Sequence, residues 1–380
     1  MASETVTLVQ MARLGDLAQT WLLISRLLRT GRIVRLVVEN GLTPLAQVMV
    51  GKENVVGIDT GMLRRLADQN SFIATLRTEL ARLSSGNSDY VINLNFHPAI
   101  ALLAEAIPAL KHGGARWRDV TLGKPSDAVF GELFRHAAGE ARLSGRHLSE
   151  VWGAYCEAPT AYGATTIQGS VLNDVNKLFE RHAIDSQARP LAIIVGAGLG
   201  VRACPPNYWR RFIELLESKY QVILIGSSEE YSRGEEIKSG SKVVNLCGQT
   251  DPGSLAGLLS KCELVIGTDT GPLHVGAMTG TKCLGLYFGS MYHRQTGPYG
   301  KGHVVVIPNG NAYPCDESTM ARCTHEYPAP PVELVAETVS FMLSGGEIKS
   351  RQSWKVLRSS ITGNSLKWHS VDTRKTKVNG

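Results

Sequence analysis

The sequence predicts an α/β protein made of two doubly wound parallel-sheet domains that face each other across a cleft. Three observations predict it. Short apolar, β-branched runs alternate with helical patterns in two separate stretches, which is the pattern of βαβ units. The chain has 380 residues, enough for two domains of roughly 100–200 residues each. The turns that follow several apolar runs are rich in Gly, Asp and Thr, and ligands of open parallel sheets sit at such turns.

The first stretch opens with "TVTLVQ" (5–10), a strand by its β-branched content. "GDLAQTWLLISRLLRTG" (15–31) reads as one helix stopped by Gly31. "IVRLVV" (33–38) is a second strand, followed by a short helix around 42–50, a strand at "NVVGID", a long helix over about 62–83 and a strand at "DYVINL". Residues 111–165 mix Gly, His, Arg and short apolar clusters and read as helical and irregular.

The second stretch is more regular. "LAIIVGA" (191–197), "QVILIG" (221–226), "KVVNLCG", "ELVIGT" and "KCLGLYFG" read as strands. Between them lie helices at "PPNYWRRFIELLESK", "SEEYSRGEEIKSG", "DPGSLAGLLSKC" and "GPLHVGAMTG". The first of these carries Pro at its start, where a missing N–H costs nothing. The expected division is 1–170, a linker helix at 171–189, 190–345, and a basic, flexible tail at 346–380. That tail holds eight Lys/Arg and two acids, which equals the whole net charge of +6, so the rest of the chain is neutral. A basic, Ser/Thr-containing end reads as solvated chain, with a weak attachment to anionic lipid head groups as the other reading.

Composition excludes several classes. The chain is 43% hydrophobic and 19% charged, ordinary for a globular protein. No apolar run approaches the ~20 residues that span a bilayer, and the N-terminus has no signal-peptide pattern, so a cytoplasmic place is expected. Seven cysteines with no C-x-x-C read as reduced thiols. Cys315, Cys323 and nearby His325 fit no standard zinc spacing, and no metal is expected. Nucleic-acid binding is not expected either, because positive charge is confined to the end of the chain and no aromatic–basic motif accompanies it.

Four turns carry candidate chemistry. "GTDTGPLHVGAMTG" (267–280) joins a strand to a helix. The helix start favours an anion such as phosphate, Gly271 admits close approach, and Thr268 and Thr270 offer hydroxyls. Asp269 repels phosphate, so it either binds sugar hydroxyls or caps the helix; His274 either faces the ligand or packs. "GAGLGVRACPPNYW" (196–209) is neither a full G-x-G-x-x-G nor a P-loop. It still offers open amides at Gly196, Gly198 and Gly200, and a cation at Arg202. "GSSEEY" (226–231) places Glu229 or Glu230 where an acid takes a ribose diol, or merely charges the first turn of a helix. In "MARLGDLAQT", Asp16 is an N-cap or a carboxylate that serves as general base for an acceptor hydroxyl.

Taken together, "RLGDLAQTWLLISRLLR", "GxxxxxRxCPPNYWRRF" at 196–212, "LCGQTDPGSLAGLLSKCELVIG" and "LVIGTDTGPLHVGAMTGTKCLGLYFG" at 264–289 resemble the ADP-heptose:lipopolysaccharide heptosyltransferase family, glycosyltransferase family 9. The resemblance runs over roughly residues 5–345. It implies a GT-B fold, with the acceptor on the N-terminal domain and a nucleotide sugar, ADP-heptose by family default, on the C-terminal one. It implies inverting glycosyl transfer without metal or other cofactor, to a glycan or lipid-linked glycan such as lipopolysaccharide core. Asp16 matches the family's catalytic base. Asp269, Thr270, Gly271 and His274 match its donor turn. Arg202 stands where the family has a phosphate-contacting lysine, Glu229 at the ribose-binding acid, and Thr250 near the purine edge. The family's Lys-x-Trp-Pro is here Arg202-Ala203-Cys204-Pro205, which keeps the charge and alters its geometry. A lipid-linked acceptor implies peripheral contact with an anionic membrane at its inner face. The alternatives are a nucleotide-sugar epimerase of the same architecture and a nucleotide-sugar-binding protein without catalysis.

Overall fold

The computed structural model describes residues 3–61, 81, 88–125, 127–137, 145–158, 162–185, 187–196, 203–216, 219–238, 243–310, 329–349, 353–363 and 365–371. The helix expected at 62–83 lies almost wholly outside them, as do Cys315, Cys323 and His325. The chain divides into two units, Met1–Thr166 and Ile167–Gly380. Among the described residues no helix is long and apolar enough to cross a membrane.

In the first unit, β1 (Thr5–Val9), β2 (Ile33–Glu39), β3 (Val55–Ile58), β4 (Ser88–Asn93) and β5 (Ala109–Gly114) form a parallel sheet in the order β3-β2-β1-β4-β5. β1 is buried along nearly its whole length because both faces of a parallel sheet are covered. The helix expected at 15–31 is two helices, α1 (Leu14–Gln19) and α2 (Trp21–Arg29). They meet at Thr20, whose hydroxyl donates to the Asp16 carbonyl at 2.8 Å and accepts from Gln10 Nε2 at 3.2 Å. A hydroxyl that bonds back onto the preceding turn disturbs helix continuity. After α3 (Thr43–Val50) and α4 (Pro98–Glu105), the region read as irregular begins with β5. "ALKHGG" lacks β-branched residues, so nothing local marks it as a strand; its pairing with β4 does, through Tyr90↔Lys111 and Asn93↔Gly114. Gly114 has φ +79°, and a Cβ there would collide with the Asn93 carbonyl. The unit closes with α5 (Trp117–Leu122), α6 (Ala128–Ala137) and α7 (Leu148–Gly153). Arg26 of α2 is buried, and its Nη1 donates to the Gly153 carbonyl at 2.8 Å, where a helix end welcomes a cation.

The second unit starts with α8 (Gly169–Arg181), which packs Val171 and Val175 against Gly257. This helix takes up residues 171–181 of the stretch expected as a linker helix. Then follow β6 (Leu191–Ile194), α9 (Pro206–Leu216), β7 (Val222–Ile225), α10 (Tyr231–Ile237), β8 (Val243–Asn245) and α11 (Pro252–Ser260). β9 (Leu264–Thr268), α12 (Gly271–Met278), β10 (Lys282–Leu286), α13 (His293–Thr296), β11 (Val304–Pro308) and α14 (Val332–Ser344) complete the parallel part. With two further strands, β12 (Trp354–Thr362) and β13 (Ser365–Ser370), the sheet order is β13-β12-β11-β10-β9-β6-β7-β8. The five described cysteines at 156, 204, 247, 262 and 283 are free and buried. Burial pushes the Cys204 and Cys247 thiols up to about 12, which makes them poor nucleophiles at neutral pH.

β12 (Trp354–Thr362) and β13 (Ser365–Ser370) correct the expectation of a flexible tail. β12 pairs antiparallel with β11, Val306 opposite Val356, and β13 pairs antiparallel with β12. The exposed Lys355, Arg358 and Lys367 gave the segment its solvated look, while Val356 and Ser359 face inward. His303 and Ser359 bond reciprocally, His303 N–H to Ser359 Oγ at 2.9 Å and Ser359 N–H to the His303 carbonyl at 2.8 Å.

Two histidines beside this hairpin give stability a pH dependence. Burial lowers His293 to about 3 and His303 to about 4, against about 6.5 in unfolded chain. Below pH 6.5 the unfolded state gains protons that the native state refuses. Their contribution is thus complete above about pH 6.5 and is lost as pH falls toward 4 and then 3. Each costs about 1.4 kcal/mol per pH unit inside that window, so stability is expected to drop by roughly 2 kcal/mol between pH 6 and 5. Urea unfolding at both pH values checks this. In His303→Gln the drop should be about half as large, and an unchanged drop refutes the assignment.

Candidate active site

Each sheet reverses its strand order once among its parallel strands, between β1 and β4 in the first unit and between β6 and β9 in the second. The crevice outside the strand carboxyl ends at such a reversal is where open α/β sheets bind ligands. Asp16 follows β1 and the 268–271 turn ends β9, so these candidates stand beside the two reversals.

In the second unit, Gly267 of β9 has no Cβ because Ile194 of β6 fills that space; a Cβ would stand 2.7 Å from Ile194 Cβ. The ends of the two strands are thereby drawn together. Thr268 closes β9, 2% exposed, and its Oγ1 is buried with no hydrogen-bond partner among the described residues. Thr270 is the N-cap of α12, yet its hydroxyl donates to the Thr268 carbonyl at 3.2 Å and caps no helical N–H. Pro272 has no N–H and the Leu273 N–H donates to the Thr270 carbonyl at 3.1 Å, so the Gly271 amide is the one at the start of α12 that keeps its capacity for an anion.

Asp269 neither caps α12 nor stands open. Its Oδ1 lies 3.1 Å from His274 Nε2 and 3.2 Å from Tyr287 Oη, and its Oδ2 accepts from Thr296 Oγ1 at 2.7 Å. A carboxylate only accepts, so Nε2 of His274 carries the proton of that contact. His274 is 6% exposed and packs inward; its Nδ1 is buried without a partner among the described residues. Asp269 thus holds the turn in shape, and the groups placed to meet a ligand are the backbone of Thr270 and Gly271. Tyr287 and Thr296 were missed in the sequence. A signal existed: both follow β10, the strand next to β9, so the turns of neighbouring strands had to meet.

The β6 turn begins at Val195 and Gly196; Gly198 and Arg202 lie outside the described residues. Gly196 has no room for a side chain because the Glu230 carboxylate occupies the place of its Cβ. Glu230 Oε2 also accepts the Ser227 N–H at 2.7 Å. Glu229 is exposed, so the structure brings Glu230 and not Glu229 to the strand reversal. Arg233 of α10 ties the stems of the turn, donating to the Val195 and Cys204 carbonyls; no sequence signal marks it. Thr250, half-buried, follows β8, two strands beyond β6. Its turn joins the β7 turn through Gly248 N–H to the Gly226 carbonyl at 2.9 Å.

In the first unit, Asp16 is the third residue of α1, not its N-cap. Its Oδ2 accepts the Arg13 N–H at 3.2 Å, and the helix start favours its negative charge. Two buried asparagines at the end of β4 hold the turn before it. Asn95 Oδ1 accepts the Met11 N–H at 3.0 Å, and Asn95 Nδ2 donates to the Val9 carbonyl at 2.8 Å. Asn93 Nδ2 donates to the Ala115 carbonyl at 2.7 Å.

The family described as glycosyltransferase family 9 (heptosyltransferase) matches residues 80–324, which takes in the whole 267–280 turn and leaves out Asp16 and the C-terminal hairpin. Lipooligosaccharide heptosyltransferase 2 of Haemophilus ducreyi is 25% identical over 160 residues, 40% of this chain and 46% of that protein. The chain aligns with under half the length of the curated relatives it matches. Two solved structures share the fold over nearly their whole length. The glycosyl transferase family 9 protein of Veillonella parvula has a TM-score of 0.73 and 16% identity, covering 91% of this chain and 99% of that one. The ADP-heptose lipopolysaccharide heptosyltransferase II of Escherichia coli has a TM-score of 0.64 and 17% identity, covering 89% and 98%. The fold class is that of the GT-B heptosyltransferases.

Proposed function

The chain belongs to glycosyltransferase family 9, the heptosyltransferase family, and on that premise we propose that it transfers heptose from ADP-heptose to a hydroxyl of a lipopolysaccharide-core glycan, with inversion and without a metal. The observation that carries the reading is the 268–271 turn. It lies at a strand reversal inside the family match, with the Gly271 amide at the start of α12 uncapped by any side chain.

In this reading the donor diphosphate lies at the start of α12, beside the Thr268 and Thr270 hydroxyls. Arg202 and the amides of the 196–200 turn supply further positive potential. Glu230, crossing Gly196, takes the ribose diol, and Thr250 lies toward the base. Asp16 accepts the proton of the acceptor hydroxyl as that oxygen bonds to the anomeric carbon. The bond from that carbon to the diphosphate breaks on the opposite face, and ADP leaves with the electron pair. Preorganised amides and a cation stabilise the leaving charge in the role a metal fills elsewhere. The sugar gains oxocarbenium character on the way. Because the acceptor class is lipid-linked, peripheral contact with an anionic membrane belongs to the proposal, with Lys355, Arg358 and Lys367 as cations that head groups attract.

The test is ADP release from ADP-heptose with extracted core glycan, with and without excess EDTA. Acceptor-dependent release that persists in EDTA supports the proposal. Release abolished by EDTA removes its metal-free part. If no ADP-, UDP- or GDP-sugar gives acceptor-dependent release, the transferase reading falls, and an epimerase or a binding protein replaces it.

A further inference from the structure

We propose that the C-terminal hairpin positions the donor turn, with Trp368 of β13 holding α13 and α13 holding Asp269 through Thr296. The inference rests on the proposed function only for the ligand used to read it; the contacts themselves stand apart from it.

β13 is placed by register, with Trp368 opposite Ser359 on β12 and β12 in turn paired with β11. The indole meets His293 edge-on, ring centroids 5.7 Å apart at 77°. It also closes on the other end of α13, where a Cβ on Gly297 would stand 2.6 Å from Trp368 Cζ2. His293 meets Tyr287 and Tyr292 as well, at 6.4 Å and 5.7 Å. α13 has four residues. One helical turn has no stability of its own, so its place depends on what packs against it.

α13 is also where the donor turn is held. Thr296 Oγ1 donates to Asp269 Oδ2 at 2.7 Å, and Tyr287 Oη lies 2.9 Å from the Thr296 carbonyl and 3.2 Å from Asp269 Oδ1. Asp269 immediately precedes Thr270 and Gly271, whose backbone meets the ligand. A displaced α13 releases one oxygen of Asp269 and loosens that backbone. The hairpin lies beyond the segment matched by the family, 80–324, so this support is built from residues outside that segment. Trp368 and Thr296 are positioning residues; neither is asked to touch the ligand.

The experiment uses the full chain and ADP as probe, by titration calorimetry, with circular dichroism and thermal melting on every variant. Trp368→Ala and Thr296→Val should each weaken ADP by roughly tenfold while the fold is retained. Trp368→Phe and Thr296→Ser should restore most of the affinity. The double variant Trp368→Ala/Thr296→Val should be little weaker than either single one, because both act through one turn. Wild-type affinity in Trp368→Ala, or fully additive losses in the double variant, overturns the proposal. A second reading needs no ligand: the imidazole nitrogen signals of His274 in the free protein, assigned with His274→Gln. They should shift in Trp368→Ala, and unmoved signals overturn the proposal. If the wild type binds no ADP while His274 still responds to Trp368→Ala, the ligand assignment has failed and the positioning stands.

Discussion

Asp16→Asn is expected to lower the turnover of glycosyl transfer by about 10²–10⁴-fold, the usual share of a general base, while ADP binding stays within about twofold of wild type. The substitution is structurally mild. Asparagine keeps the oxygen that accepts the Arg13 N–H, and the buried Asn93–Asn95 network that places the turn is untouched. What changes is charge and the ability to take a proton. Loss of a negative charge from the first turn of a helix costs at most about 1 kcal/mol, so the melting temperature should move by only a few degrees. The measurement pairs initial rates of ADP release with calorimetric ADP binding and a thermal melt. A large loss of rate with intact binding places the base at Asp16. Full activity in the variant removes Asp16 from the chemistry and leaves the donor turn unaffected, since Asp16 belongs to the other unit.

Truncation after Gly345 is expected to destabilise the second unit severely rather than trim a loose end. The cut removes both strands that follow β11 and strips its outer edge over the register Val304↔Arg358 to Pro308↔Trp354. It leaves the His303 N–H and carbonyl without Ser359 and α13 without Trp368. At a net ~1 kcal/mol per lost hydrogen bond, with the apolar contacts added, the loss is several kcal/mol against a typical total of about 5–15. The melting temperature should fall by roughly 10 °C or more, and the bared edge should promote aggregation. A truncated chain that melts like the full one would show the hairpin to be dispensable. Membrane contact therefore has to be tested without the cut. Lys355→Glu, Arg358→Glu and Lys367→Glu together keep the backbone ladder and reverse the charge. This triple variant should lose co-sedimentation with anionic liposomes, and unchanged binding removes the hairpin from that role.

The parallel strands of both sheets were legible where apolar runs are dense, as in β1, β6, β7 and β9, because a strand covered on both faces needs little but apolar residues. β5 was not legible. "ALKHGG" becomes a strand only because β4 offers it a free edge. The 267–280 turn was legible as a strand-to-helix junction because Thr, Asp, Gly and Pro sit in order between an apolar run and a helical pattern. The role of Asp269 within it was not, since its partners Tyr287 and Thr296 are 18 and 27 residues away in the chain.

By itself the sequence determined the two blocks of strand and helix, the strand-to-helix turn that opens α12, and the family to which those motifs point. These are local properties, written in composition and spacing. The tertiary structure alone decided that Glu230 rather than Glu229 crosses Gly196, that Asp269 supports the turn from behind, and that the basic end of the chain forms two strands of the sheet. Each of those outcomes depends on which distant backbone or side chain stands opposite. A one-residue step around a helical turn selects a different glutamate, and an open sheet edge recruits a polar segment whose own residues read as solvated chain.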